Sequence, residues 1–298
     1  MVLVVGATGL VGGEAARLLS AKGVGVRGLV RASSDPTKIE GLEKTGVSMV
    51  RGDLRQPESL AAACRGIDAV ITTVSAMPFS WQQSNTIQDV DRKGQMALID
   101  AARKAGVRRI VYVTFPHDSA NSFPLGNAKI AAEEHLKASG LEYAVLQASF
   151  FMEVWLSPAF GFDYGSGKAA IFGEGKNKHS WVSYRDVART AAEAVSSSRA
   201  KNVVLPVGGP EALSPLEVIK VFEKNSGGSW QVNHVPVEAL HKQKTAATDE
   251  VQETVAGLQI AYATSSWAMS VRDYLVSDGL GSVQDYARSV LKQTAVAS

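Results

Sequence analysis

Six short apolar runs, each separated from the next by a helix-length segment, constrain this chain more than any other feature. They are VLVV (2–5), VRGLV (26–30), VSMV (47–50), DAVITTV (68–74), RIVYVT (109–114) and EYAVLQA (142–148). The first spacer, GGEAARLLSAKG, sets Ala15, Leu18, Leu19 and Lys22 at turn spacing and stops at Gly23. Asp35 before Pro36 supplies an N-cap and a proline at the first helical position. PESLAAACRG repeats the proline start, and NAKIAAEEHLKASG reads as a further helix. Over 86–106 the stripe Ile87, Val90, Ala97, Ala101 and Ala105 predicts one more. Strands alternating with helices of this length make βαβ units. Right-handed crossovers then lay helices on both faces of a parallel sheet. The expected fold is therefore α/β, a doubly wound parallel sheet. The strand ends after Val5, Val30, Val50, Val74, Thr114 and Ala148 fall on one edge, where such sheets bind ligands.

After residue 150 the texture changes. FFMEVWLSPAFGFDYGSGKAAIFGEG is rich in aromatics and glycine and has no clean period. SYRDVARTAAEAVSSS returns to a helix, VVLPVGG reads as a strand and turn, SPLEVIKVFEKNSGG as a helix, and the last sixty residues as mainly helical. The expected division is residues 1–150 as a nucleotide-binding domain and 151–298 as a smaller substrate lobe, parts of which return to the first domain.

The totals set limits on function. The 298 residues are 45% hydrophobic and 20% charged, ordinary for a chain that buries a full core. A net charge of +2, with no Lys/Arg run interleaved with aromatics, argues against a nucleic-acid surface. Cys64 is the single cysteine, which points to a reducing compartment. The chain opens on an apolar strand without a secretory signal pattern, and no apolar run reaches the ~18 residues a membrane span needs. The expectation is a cytoplasmic protein, monomeric or homodimeric, that takes a small molecule and contacts neither membrane nor nucleic acid. His117, His135, His179, His234 and His241 show no metal-ligand spacing, so no metal is expected.

At the first strand–helix turn stands GATGLVGG, with Gly6, Gly9 and Gly12 at G-x-x-G-x-x-G spacing. A side chain at Gly9 would block a pyrophosphate, and the following helix N-terminus offers N–H groups and the positive end of its dipole. Thr8 and Leu10 complete the turn. Its place after the first strand of an alternating series is the context that makes the pattern informative. At the end of strand two an acidic residue would bind both ribose hydroxyls of NAD. This chain has LVRASSD, and Arg31 there suits a 2′-phosphate, favouring NADP(H). Lys38, one helical turn further on, adds a second positive charge; Asp35 is accounted for as a cap. Asp53 and Leu54 follow strand three, where Asp53 either lies beside the adenine or serves the turn. Thr73, Val74 and Ser75 end strand four with small residues that leave room for a dinucleotide.

Together these segments resemble the NmrA-like proteins, an atypical group of the short-chain dehydrogenase/reductase superfamily with a Rossmann fold. The matching pieces are GATGLVGG, LVR, GDLRQPESL, DVDRKGQMALIDAARKAGVRRIVYVT, the K-x-x-x-E-x-x-L-x-x-SGLEYAVL run (129–146) and VSYRDVA (182–188). They cover roughly residues 1–210. The resemblance implies NADPH-dependent reduction of quinone-, dye- or enone-like acceptors. It equally includes proteins that bind NADP(H) as redox sensors or assembly factors.

It also implies roles for LGNAK (125–129). Lys129 falls at the superfamily's ribose-binding lysine, and the position of the accompanying tyrosine acid is Leu125. Thr114 falls where the superfamily places its catalytic serine. The alternative for Lys129 is a surface charge paired with Glu133 at i+4, worth tenths of a kcal/mol. With no tyrosine acid, a conjugated acceptor that takes hydride readily is favoured over a simple ketone, because general-acid assistance is worth only ~10²–10⁴-fold. His117, just past strand five, is a substitute donor, as are Tyr164 and Tyr184. Phe151 and Trp155, with the Phe115-Pro116 step and Trp81, are candidates to wall an apolar slot for a flat substrate; packing of the second lobe is the competing use of such rings. Asp186 reads as a helix cap or a tie between lobes.

Overall fold

The computed structural model describes residues 1–77, 85–117 and 121–297. In chain order the elements are β1 (Val2–Val5), α1 (Leu10–Ala21), β2 (Val26–Val30), α2 (Pro36–Glu43), β3 (Ser48–Arg51), α3 (Pro57–Ala63), β4 (Ala69–Thr72), a π-helical segment (Gln88–Gly94) running into α4 (Gln95–Lys104), β5 (Arg109–Thr114), α5 (Pro124–Ala138) and β6 (Glu142–Ala148). Then follow α6 (Met152–Trp155), β7 (Phe162–Asp163), β8 (Lys168–Phe172), α7 (Tyr184–Ala194), β9 (Val203–Val207), α8 (Pro215–Ser226), β10 (Gln231–Val235), α9 (Val237–Thr245), α10 (Glu250–Thr264) and α11 (Val283–Ala297).

The expected doubly wound sheet is present. Its order is β3-β2-β1-β4-β5-β6-β9. The pairs β1–β2, β1–β4, β2–β3, β4–β5 and β5–β6 are all parallel. Strands β1, β4 and β5 are buried along their whole length, as continuous apolar runs with helices on both faces require. The strand order reverses between β1 and β4, so the crevice beyond Val5 and Thr72 is the sheet's switch point, where ligands bind in such folds. Asp35 caps α2 by accepting from the Thr37 N–H at 2.8 Å, as its place before Pro36 predicts.

The helix over 86–106 differs from expectation in a way that matters for the site. Ile87 and Val90 are buried, but Ala97, Ala101 and Ala105 are not; Leu98, Ile99 and Ala102 face inward instead. The reason is the π-helical segment. Its wider turns hold an extra residue, so a stripe drawn at constant 3.6 spacing loses phase beyond it.

The chain divides into two compact units. One holds Met1–His117, Pro124–Gln147 and Val187–Leu205. The other holds Asp118–Phe123, Ala148–Asp186 and Pro206–Ser298. The second unit contains a three-stranded sheet, β10-β8-β7, that the aromatic- and glycine-rich sequence did not announce. Its core gathers Phe150, Phe162, Trp181, Phe222 and Tyr262. In it α7 starts at Tyr184, and Asp186 in its first turn accepts from the Gly281 N–H at 2.8 Å; both residues belong to this unit, so this contact is not the tie between lobes that the sequence left as an alternative to a cap.

Candidate active site

The first unit carries a glycine-lined turn at the switch point. Gly6 has φ +92°, a conformation that side chains resist. Its carbonyl accepts from the Gly9 N–H at 2.9 Å. Gly9 is the N-cap of α1 and brings no capping side chain to the first turn. A Cβ at Gly12 would stand 2.2 Å from the Gly6 carbonyl oxygen, and one at Gly9 3.2 Å from it. The turn therefore keeps its backbone close and bare. Thr8 is half-buried and Leu10 is 52% exposed. Across the crevice Thr73 Oγ1 donates to the Val5 carbonyl at 3.4 Å. A bare cradle at a helix N-terminus fits a pyrophosphate.

At the end of β2 Arg31 is half-buried. Its N–H donates to Ser34 Oγ at 2.9 Å, and its guanidinium Nη1 donates to Asn85 Oδ1 at 3.3 Å. Lys38 lies on α2 and is exposed. Asp53 accepts from Arg55 at its N–H, Nε and Nη2, at 2.9, 3.0 and 2.6 Å. That bond to Arg55, working against burial and assisted by Arg31, holds the Asp53 carboxyl below its ordinary value. Of the two uses expected for Asp53, these contacts are those of the turn. Leu54 is 5% exposed, and a Cβ at Gly94 would come 2.8 Å from its Cβ, so it packs under the π-helical segment.

The third feature centres on Lys129. It is not a surface charge, and Glu133 is not its partner. Its side chain is 6% exposed, and its Nζ lies 3.4 Å from Oδ1 of Asp91, a carboxylate with 0% exposure. The other Asp91 oxygen accepts from the Ala76 N–H at 2.9 Å, in the loop after β4. Asp91 thus ties the lysine to the stretch that holds Thr73, Val74 and Ser75. Gln95 braces the same stretch: Thr72 Oγ1 donates to its Oε1 at 3.0 Å, and its Nε2 donates to the Val74 carbonyl at 3.3 Å. Lys129 also stands 5.5 Å from the centroid of the Tyr112 ring.

Glu133 belongs to a neighbouring group. It is 6% exposed, with Oε2 3.2 Å from His117 Nε2 and Oε1 2.6 Å from Lys137 Nζ. Burial alone would raise its carboxyl; the hydrogen bonds from His117 and Lys137 outweigh that and hold it low. Burial first, then the charges of Asp91 and Glu133, push the Tyr112 phenol well above its usual range. Oη of Tyr112, Oγ1 of Thr114 and Nδ1 of His117 are buried without a hydrogen-bond partner, and Oδ1 of Asp91 has only its ion pair with Lys129. Three orphaned atoms near one sheet edge mark a polar site, because buried polar atoms without a partner are uncommon.

Phe115 meets the His117 ring edge-on at 5.6 Å, and Pro116 between them is half-buried. Phe151 and Trp155 lie in the second unit. Phe151 is half-buried and bridges to Val182, while Trp155 stacks on Tyr262 at 5.3 Å and meets Phe150 at 4.8 Å. Those Trp155 contacts are core contacts of the second unit. Tyr164 and Tyr184 also belong to that unit. Trp81 lies outside the described residues. Among the described residues no group of three or more His, Cys, Asp or Glu is placed to hold a metal, and no helix is long and apolar enough to cross a membrane.

The residues that motif reading missed are Asp91, Gln95, Tyr112, Glu133 and Asn85. Asp91 did carry a signal, since it follows Val90 and stands four residues after Ile87, a carboxylate on an apolar stripe. The His117 partner of Glu133 and the Arg31 partner of Asn85 are distant in sequence and left none.

A doubly wound sheet with a bare glycine turn at its switch point and an arginine after the second strand defines a dinucleotide-binding Rossmann protein. The chain belongs to the NmrA-like family, whose model matches residues 1–269. It is 33% identical over 249 residues to the NAD(P)H azoreductase of Xenophilus azovorans, covering 83% of this chain and 80% of that protein. It is 31% identical over 241 residues to the Photosystem II assembly factor Ycf39 of Synechocystis sp., covering 80% of this chain and 72% of that one. Among solved structures, the NADPH-dependent quinone oxidoreductase QOR2 of Escherichia coli, complexed with NADPH, matches with a TM-score of 0.78 at 19% identity, over 98% of this chain and 100% of that chain. The Citrobacter sp. triphenylmethane reductase complexed with NADP(H) matches at 0.78 and 20% identity, over 97% and 99%.

Proposed function

We propose that this protein is an NADPH-dependent reductase that transfers hydride to a small conjugated acceptor of the quinone, enone or dye type. The observation that carries the reading is Lys129. A lysine is rarely buried unless it is paired and useful, and this one is held by Asp91 beside the loop that faces the glycine turn. The azoreductase relative supports the same class of chemistry.

In this reading Gly6, Thr8, Gly9, Leu10 and Gly12 hold the pyrophosphate. Arg31, with Lys38, meets the 2′-phosphate; Asp53, Leu54, Thr73, Val74 and Ser75 shape the adenosine and pyrophosphate side. Bound NADPH supplies the hydride. Lys129 holds the nicotinamide ribose and puts positive charge near the developing anion, a fixed electrostatic contribution of the kind that usually dominates. Thr114 Oγ1 and His117 Nδ1, buried and unpartnered, are the polar groups available to an acceptor oxygen. Phe115 and Pro116, just past β5, are the proposed apolar lining on the first unit.

A second reading, an NADP(H)-binding sensor or assembly factor that turns nothing over, is favoured by one observation. Leu125 is a buried aliphatic residue at the tyrosine position, 4% exposed, and one relative is named an assembly factor. Titration of the purified protein with NADPH and NADH, followed by a quinone and dye panel, separates the two. Tight NADPH binding with turnover that falls in Lys129→Ala supports the reductase. Tight binding without turnover on any acceptor transfers the case to the sensor.

A further inference from the structure

The reductase reading leaves a proton to be found. Hydride delivery to a quinone or enone puts negative charge on an acceptor oxygen, and that oxygen must then be protonated. Leu125 has no proton to give. Tyr112, the phenol beside Lys129, retains its own, because burial and the charges of Asp91 and Glu133 disfavour its anion. His117 remains, and its surroundings are specific. Nε2 lies 3.2 Å from Glu133 Oε2, while Nδ1 is buried and unpartnered. Glu133 is itself fixed by Lys137 at 2.6 Å, and both lie on α5. Among the described residues, the charged or titratable groups shown near the imidazole are Glu133, with Lys137 behind it, on α5, and Tyr112 on β5, whose phenol feels the Glu133 charge.

Resting on the reductase reading, we propose that Glu133 is a positioning residue that fixes the proton of His117 on Nε2, so that Nδ1 is the nitrogen that hands a proton to the reduced acceptor. An ionised carboxylate only accepts hydrogen bonds, so the ring nitrogen facing it must carry hydrogen. In the imidazolium Nδ1–H is then the free donor. The electron pair and one proton reach the acceptor as hydride; the acceptor oxygen becomes anionic and takes the Nδ1 proton. Neutral imidazole, still bearing its Nε2 proton, stays against Glu133, and Nδ1 is reprotonated from solvent after product leaves. A cationic triarylmethane dye needs none of this, because hydride neutralises the cation directly. The dyad therefore sets which acceptors are reduced well: those whose products carry oxygen anions.

The test compares a quinone with a cationic triarylmethane dye in wild type, His117→Asn, Glu133→Gln and Glu133→Asp, with nitrogen-15 NMR of the His117 ring as a readout apart from activity. Once the ring has been brought to its neutral form by raising pH, wild type is expected to show the single Nε2–H tautomer and Glu133→Gln a mixture. Quinone turnover is expected to fall about tenfold or more relative to dye turnover in His117→Asn and Glu133→Gln, with partial recovery in Glu133→Asp. An unchanged tautomer in Glu133→Gln, or an equal fall on both acceptors, overturns the proposal. If wild type reduces neither acceptor, the reductase reading fails and takes the proton-donor role with it; the NMR signal still decides whether Glu133 sets the tautomer.

Discussion

Nζ of Lys129 lies 3.4 Å from Oδ1 of Asp91, and both side chains are buried. Such a pair is weak support for the fold but costly to break, because removing one partner strands the other charge in a medium that cannot solvate it. Lys129→Ala is expected to lose about 3–5 kcal/mol of stability. The double variant Asp91→Asn with Lys129→Met is expected to recover most of it while still failing to bind NADPH tightly. Urea denaturation and nucleotide titration measure the two effects separately. Equal stability of Lys129→Ala and wild type would mean that the pair is not buried in solution.

The glycine turn makes a graded prediction. A Cβ at Gly12 would sit 2.2 Å from the Gly6 carbonyl oxygen and 2.7 Å from its carbonyl carbon, backbone atoms that cannot swing aside as a flexible side chain would. Gly12→Ala is therefore expected to disrupt the turn and lower the melting temperature. At Gly9 the corresponding distance is 3.2 Å, tight but tolerable. Gly9→Ala is expected to keep near-native stability and lose NADPH affinity by about tenfold or more, since the methyl group would stand where phosphate approaches. A Gly9→Ala protein with undiminished affinity would remove the turn from the binding site.

The parts of this structure legible in the sequence are those set by local pattern. β1 to β6 follow from apolar runs, α2 from Asp35 and Pro36, and the turn at Gly6 from its place after the first strand. Lys129 was legible only through the family resemblance, and its partner Asp91 only as a carboxylate on an apolar stripe. Its burial depends on a π-helical segment that no constant period describes. The same extra residue moved the inward face from Ala97 and Ala101 to Leu98, Ile99 and Ala102. β7, β8 and β10 were missed because they are short and interrupted by glycine-rich sequence, and the β8–β10 pairing joins Lys168 to Gln231, far apart in the chain. Position-specific chemistry at His117 and Glu133 required the fold, since sixteen residues separate them.

Arg31 carries the prediction on cofactor choice. Its guanidinium is braced by Asn85 at 3.3 Å, which reduces the ordering a bound phosphate would have to impose. A charge-assisted contact of this kind is worth ~1.5–3 kcal/mol. Arg31→Ala is expected to weaken NADPH binding about ten- to hundredfold and to leave NADH binding within about twofold. Fluorescence titration with both nucleotides measures the ratio. Parallel losses for NADPH and NADH would show that Arg31 supports the fold and does not read the 2′-phosphate.

His179, in the core of the second unit, makes the acid limb of stability predictable. It is buried to 0%, its Nδ1 accepts from the Trp267 N–H at 3.4 Å, and its Nε2 meets the Tyr262 carbonyl at 3.2 Å. The neutral imidazole with hydrogen on Nε2 satisfies both contacts. Burial depresses its pKa from 6.5 to about 4, with the Tyr262 carbonyl opposing. The sign follows from which state binds the proton. Above pH 6.5 the ring is neutral folded or unfolded, and it adds no pH dependence. Between pH 6.5 and about 4 the unfolded chain takes up a proton that the folded chain refuses, so stability falls as pH falls. At roughly 1.4 kcal/mol per pH unit the loss approaches about 3 kcal/mol near pH 4. His179→Gln is expected to be less stable at neutral pH, because the ring leaves a poorly filled space between Phe150 and Trp181. Its stability should nevertheless decline less steeply than wild type between pH 6.5 and 4. Urea denaturation across that range measures both slopes, and parallel slopes would place the protonation that drives acid unfolding elsewhere in the chain.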